Sequence, residues 1–339
     1  MKSIFRATTP ADQVAILHLF VRAFPNNASS GLLDPAVLFW KYWEPREDWD
    51  QPRSYVFENE CGIIAHAGIW PAELPGSIRG MHMIDWCSSK NSPGAGLALL
   101  QKLTALFDFI YTIGGSDQAI HILPRAGFVE TTPIWTAARP LRPLRQMFTH
   151  QTLDWKLPAR LIRNWLWSKS PAADTTGWVT VPMQPSELPS DIASGSKQLA
   201  PRSSAFFEFL ARCPSLRYQF YGIVHEGRTE GYFALGVLRG QARVAGVWLR
   251  DPCPEGWRIA YALALEVALC LPEANEIAAW GSMGPSRDAV VESGLRVISS
   301  TPVYLWSKQS RFTLPNDFQF QMSDNDAAFL DLGQPSYYT

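Results

Sequence analysis

"CSSKNSPGAGLALLQKL", residues 87–103, runs from strand-like sequence through a Pro-Gly-Ala-Gly corner straight into an apolar helix. Strand, short glycine turn and helix together aim the unpaired N–H groups of a first helical turn, and their partial positive charge, at one point. Such a corner is either an anion cradle or a tight structural turn. As a cradle it would use the amides of Gly94, Ala95, Gly96 and Leu97, with Lys90 adding charge. Leu97, Leu100, Leu103 and Phe107 would then face inward. Two familiar phosphate loops are excluded, because the chain has no GxxxxGK[ST] and no third glycine completes a GxGxxG.

Outward from the corner, the elements follow a definite order. "SIFRAT" predicts a first strand, and "TPADQVAILHLFVRAF" a helix capped by Thr9, with Pro10 in its first turn and Val14, Leu17 and Val21 on its apolar face. Residues 54–70 predict a hairpin turning at Asn59–Gly62, and "SIRGMHMIDWCSS" the strand that enters the corner. "FDFIYTIG" is a buried strand, "SDQAIHILPRAGF" a short helix ended by Pro124 and Gly127, and "VETTPIWTAARPL" a further strand.

The second half repeats this order, with three strand-like runs over residues 218–251, the helix "WRIAYALALEVALCL", the strand "ANEIAAWGS", the helix "PSRDAVVESGL" and a closing "RVISSTPVYLWSK". Thr132-Pro133-Ile134 matches Thr301-Pro302-Val303, just after "AGF" in one copy and "SGL" in the other. Matched pieces in constant order at so long a spacing describe a duplicated domain, not a solenoid. The expected division is 1–140, 141–200 as a linker, and 201–339.

Composition narrows the classes. Apolar residues at 47% and charged residues at 18% suit a folded globular chain. A formal net charge of −1 offers no electrostatic footprint for nucleic acid. The five cysteines form no CxxC and the six histidines no HExxH, so a reducing compartment and no metal are expected. No apolar run is long enough to span a bilayer, and the N-terminal stretch lacks an apolar signal core, so the expected location is cytoplasmic.

The stretch 139–169 carries Arg139, Arg142, Arg145, Lys156, Arg160, Arg163 and Lys169 against one acid, Asp154. It reads either as a basic amphipathic segment in weak contact with an anionic membrane surface or as an interdomain helix packing Leu161, Trp165 and Leu166 on the core. The prolines at 140, 143 and 158 interrupt a long helix and favour the second reading.

The ordered set of elements resembles the GNAT superfamily of acyl-CoA-dependent acyltransferases, and the duplication resembles a tandem GNAT protein. "NSPGAG" (Asn91 to Gly96) resembles the family's pyrophosphate loop, and "SDQAIHILPRAGF" its last short helix ending in Gly-Phe. The resemblance implies an α/β (α+β) architecture of two domains, each a mixed, mostly antiparallel twisted sheet flanked by helices. It implies acetyl-CoA or another acyl-CoA as co-substrate, its pyrophosphate on the amides of Gly94, Ala95, Gly96 and Leu97, and its pantetheine against the backbone around Trp86 and Ser88. Asn91 stands where the family has a basic residue or Gln, and Leu123 where many members carry a Tyr. The second copy has no GxG, so it is expected to shape an acceptor cleft and not to hold a second CoA.

Direct attack of an amine on a thioester needs a base and a stabilised oxyanion. Asp85 and His82, on the strand entering the corner, are candidate bases, on opposite faces by strand alternation. His121 is a candidate acid, and His66 and Glu73 are lesser candidates. Cys87 has no basic neighbour and reads as a small buried residue. In "LFWKYWEPREDWD", Trp40 and Trp43 read as packing and Trp49 as cleft rim. The expected activity is transfer of an acyl group from CoA to a small-molecule or amino-sugar amine, as in surface polysaccharide assembly. An aminoacyl transferase of the cell-wall cross-bridge type and a non-catalytic binding module are the alternatives.

Overall fold

The computed structural model describes residues 3–25, 31–74, 78–149, 155–195, 200, 202–282, 284–308, 318–331, 333 and 337–339. The first half supplies β1 (Ile4–Ala7), α1 (Gln13–Ala23), α2 (Pro35–Tyr42), the hairpin β2 (Ser54–Asn59) and β3 (Gly62–Leu74), then β4 (Ile78–Ser88) and α3 (Ala95–Leu106). It continues through β5 (Phe109–Ile113), α4 (Asp117–Ile122), β6 (Val129–Glu130) and β7 (Ile134–Pro140). Helices α5 (Pro143–Thr149) and α6 (Leu157–Ser168), β8 (Trp178–Met183), α7 (Ser190–Gly195) and α8 (Ser204–Ala211) lead into the repeat. The repeat is β9 (Tyr218–His225), β10 (Arg228–Leu238), β11 (Gln241–Leu249), α9 (Pro254–Cys270), β12 (Glu276–Gly281), α10 (Pro285–Glu292), β13 (Arg296–Thr301) and β14 (Val303–Ser307).

Among the described residues, two seven-stranded mixed sheets form, each antiparallel except for one parallel pair, β4–β5 in the first and β11–β12 in the second. The strand orders are β1-β2-β3-β4-β5-β14-β6 and β8-β9-β10-β11-β12-β7-β13, the same order twice once β7 and β14 are exchanged. "VETTPIWTAARPL" and "RVISSTPVYLWSK" are therefore not single strands. Each breaks at its Thr-Pro, crosses to the other half's sheet and pairs there, β7 between β12 and β13, β14 between β5 and β6. Proline has no N–H to give a ladder, so the break falls where the chain leaves its sheet.

Two cores form. One lies under α3 and α4, where Leu99, Leu100, Leu103 and Phe107 meet Met81, Met83 and Ile110. The larger runs from the α1/α2 face of the first sheet through the whole second half without a break. Trp40 stacks on Phe209 with ring centroids 4.7 Å apart, and its indole N–H donates to the Phe209 carbonyl at 3.1 Å. The Trp70 indole and the Tyr111 hydroxyl donate to the carbonyls of Ser323 and Asp324.

Three expected faces turn out rotated. Helix α1 buries Ile16, Leu19 and Phe20 and leaves Val14 and Val21 exposed. Helix α3 buries Gly96 and Leu99 where Leu97 was expected, and Leu97 is exposed. Helix α6 buries Asn164, which donates to Gln146 at 3.1 Å, and its Trp165 and Leu166 are 56% and 57% exposed. Pro143 and Pro158 sit in the first turns of α5 and α6, where a missing N–H costs no helical bond. Trp49 belongs to the α3-side core and stacks on Phe107, and it also lines a groove of about 530 Å³ beside Glu73.

Candidate active site

Strands β4 and β5 pair only at Met81–Ile110 and His82–Tyr111, after which they diverge. The wedge between them opens into a cavity of about 220 Å³, lined by β4 from His82 to Trp86, by Thr112, Ile113, Gly115 and Ser116, and by Phe24 and Leu32. Its remaining wall comes from the far end of the chain, from Asn325, Asp326 and Leu330.

A bulge shapes the wedge. Between the pairs Gly68–Ile84 and His66–Cys87, one residue of β3 faces two of β4. Asp85 takes φ 50°, a left-handed conformation that costs a non-glycine residue on the order of 1 kcal/mol or more. Alternation is broken here, so Asp85 does not point away from the His82 face as expected. Its carboxylate reaches α2 instead, accepting hydrogen bonds from the Lys41 ammonium and the Tyr42 hydroxyl. The displaced Asp85 carbonyl accepts from His66 Nδ1 at 3.0 Å, and His66 Nε2 accepts from the Ser54 hydroxyl at 2.9 Å.

The electrostatics are those of a buried charged centre. The Lys41 and Asp85 side chains are 0% and 6% exposed. Burial works against the Asp85 charge, but Lys41 and Tyr42 outweigh it and hold the carboxyl below its ordinary range. Burial lowers both His66 and His82 to about 4, so both rings are neutral near pH 7. His82 Nδ1 donates to the Tyr111 carbonyl at 3.1 Å and its Nε2 accepts from Asn325 at 2.8 Å, which occupies both nitrogens. Burial, then the Asp85 charge, pushes Asp326 up to about 6. Among the described residues no side chain donates to the Asp326 carboxyl. Burial likewise raises the Cys87 thiol, as its inert reading requires.

The glycine corner stands at the other end of the wedge. Gly94, at φ 82°, is the N-cap of α3, and the first helical bond runs from Ala98 N to Gly94 O at 2.9 Å. The amides of Gly96 and Leu97 thus have no partner within the helix. The Ala95 amide is already engaged, donating to Ser92 O at 3.1 Å, and drops out of the expected donor set. The Trp86 indole donates to Gly96 O at 3.0 Å and braces the corner against β4. Ser88 ends β4 opposite Ala65, and Asn91 is exposed beside the corner, as is Lys90.

His82 and Asp85 therefore share one cavity, while His121 does not line it and lies on the outer turn of α4 with Nδ1 against the Asp117 carbonyl. Glu73 lines a separate groove of about 530 Å³. Lys41, Asn325 and Asp326 escaped sequence reading. Lys41 sits among tryptophans in a stretch that reads as a packing helix, and Asp326 lies in a segment with no periodicity.

The second half treats its own wedge differently. Beside the short β11–β12 pairing, the Gln321 side chain accepts from the Val247 main-chain N–H, and Phe320 and Ser282 exchange two hydrogen bonds. Residues 319–321 thereby bridge the strands where the first half keeps a cavity.

Solved structures share the overall fold. A GCN5-related N-acetyltransferase from Anabaena variabilis superimposes with TM-score 0.58 at 11% identity, over 90% of this chain and 72% of that one. One from Kribbella flavida gives 0.54 at 12%, over 90% and 72%. A tandem GNAT protein from the clavulanic acid biosynthesis pathway gives 0.53 at 12%, over 90% and 98%. No family model matches the sequence, and no curated protein does.

Proposed function

The chain has the tandem GNAT fold, and on that premise we propose that its first half binds acyl-CoA and transfers the acyl group to an amine by direct attack. The observation that carries this reading is the β4–β5 wedge, bulged at Asp85 and ending at a positive-φ glycine before α3. The amides of Gly94, Gly96 and Leu97 would hold the pyrophosphate. The β4 edge from Met83 to Ser88, which has no β5 partner, would pair with pantetheine.

Asp326 would take the proton of the incoming ammonium. The free amine then attacks the thioester carbon and a C–N bond forms; as the C–S bond breaks, the nitrogen gives up its second proton through solvent to the departing thiolate, which leaves as the CoA thiol. Main-chain N–H groups at the bulge would face the developing oxyanion. In this reading Asp85, held ionised by Lys41 and Tyr42, serves as a fixed charge that attracts the ammonium and keeps Asp326 protonatable, and Asp326 takes the part of base. His82, through Asn325, would hold the segment that presents Asp326. Phe24 and Trp86 offer rings against which the ring of an amino sugar can stack. All five cysteines are unpaired, which fits work in a reducing cytoplasm.

The test is a thermal melt with acetyl-CoA on wild type and Gly94→Asp. Aspartate tolerates the left-handed conformation and suits a helix N-terminus, so the variant stays folded, but its charge repels a pyrophosphate. The expected result is a rise in Tm with acetyl-CoA concentration for wild type alone. If acetyl-CoA stabilises neither protein, the corner is a turn and the reading falls.

A further inference from the structure

Helix α6 is amphipathic the wrong way round for a helix packed on a core. Its inward positions Leu157, Leu161, Asn164 and Ser168 follow one another at helical spacing, and Asn164 alone is fully buried. The opposite stripe is apolar and faces solvent, with Ile162 at 62% and Leu166 at 57% exposed, and Trp155, in the turn before the helix, is 86% exposed. On the neighbouring α5, Leu144 and Phe148 are exposed as well. Between the inward and outer stripes lie Lys156, Arg160 and Arg163, again one helical turn apart. From residue 139 to residue 173 the single acid is Asp154, outside the described residues.

We propose that the outer face of α5 and α6 docks on an anionic lipid bilayer surface. Aliphatic and tryptophan side chains entering the headgroup region, with a basic flank against lipid phosphates, are the two signals that interfacial binding needs. Charge decides against the other occupants. A second copy of the chain would bring an equally basic face to this one, and a nucleic acid would leave Ile162 and Leu166 without an apolar partner. The inference does not depend on the acyl-transfer reading.

The test is vesicle flotation of the full chain with phosphatidylcholine alone and with phosphatidylcholine plus phosphatidylglycerol. The wild type should float with the anionic vesicles only, and high salt should weaken binding. Ile162→Glu/Leu166→Glu, a double change at exposed positions, should reduce partitioning at least ~10-fold with an unchanged thermal melt. Equal binding to neutral vesicles, binding that survives the double change, or no binding to anionic vesicles overturns the proposal. So does a dimer in light scattering that the double change disperses, which would give the face to a second copy.

Discussion

Pro133 and Pro302 occupy the same place in the two halves, each preceded by a threonine and each standing where the chain leaves one sheet and enters the other. Around them the crossing strands are tied together: Thr131 N donates to Val303 O at 2.8 Å, and Gly114 N to Pro302 O at 2.9 Å. The halves are interlocked and not merely adjacent.

Interlocking predicts that neither half folds alone. A fragment of residues 1–200 lacks β14, so β5 and β6 lose their shared neighbour and β5 presents a bare edge. It should be insoluble or lack a cooperative melt, whereas the full chain should unfold in one transition by circular dichroism. A soluble fragment with a sharp transition of its own would refute the claim.

Gly80 lies beside the point where β4 and β5 pinch together. A Cβ there would collide with the carbonyl oxygen and ring of Phe109. Gly80→Ala should cost about 1–3 kcal/mol in urea unfolding and weaken acetyl-CoA stabilisation, because the strands must part at the apex of the wedge.

Lys41 and Asp85 form a buried pair, so removing one partner strands the other charge. Lys41→Met should destabilise by about 3–5 kcal/mol, and adding Asp85→Asn, which removes the stranded charge and tolerates the left-handed backbone, should restore much of the loss. A double-mutant cycle by chemical denaturation measures the coupling; additive losses would mean that the pair is not linked.

Asp326→Asn should lower kcat/KM by about 10²–10⁴-fold and remove the acid limb of its pH profile, with acetyl-CoA still raising Tm. Retention of that limb near pH 6 would assign the proton to another group. The same variant has a signed effect on stability. The pKa values of His66 and His82 fall from 6.5 to about 4 on folding, so the folded state holds fewer protons between those values. Their contribution is complete above that window and is lost as pH falls through it. Asp326 is raised from 3.8 to about 6, so its proton favours the folded state at the acid end and opposes the histidines. Asp326→Asn should therefore make the loss of stability between neutral pH and pH ~4 steeper, read as urea midpoints across the window.

Much of the fold was legible because periodicity and turn residues are local. The order of strands and helices, the hairpin at Asn59–Gly62 and the repeat at Thr132-Pro133 and Thr301-Pro302 all lie on the surface of the sequence. The destination of the strands after those prolines does not, since it depends on which sheet offers an open edge. Likewise, Asp85 and His82 were found as residues, but their common cavity depends on a one-residue bulge that the strand period of two cannot foretell. On α6 the apolar residues were assigned inward because burial is their usual fate. There the protein spends its interior on Asn164 and Gln146 and shows Trp165 to the outside.

The exchange of β14 also sets an order in time. The ribosome delivers β5 and β6 long before Val303, and at about 5–20 residues per second the gap between them stays open for roughly ten to forty seconds. Throughout that interval the nascent first half carries an unfilled slot in its sheet and a cleft missing one wall. Chaperones would meet it in that state, and the segments that emerge from Val303 onward close the slot and bring Asp326 to the wedge.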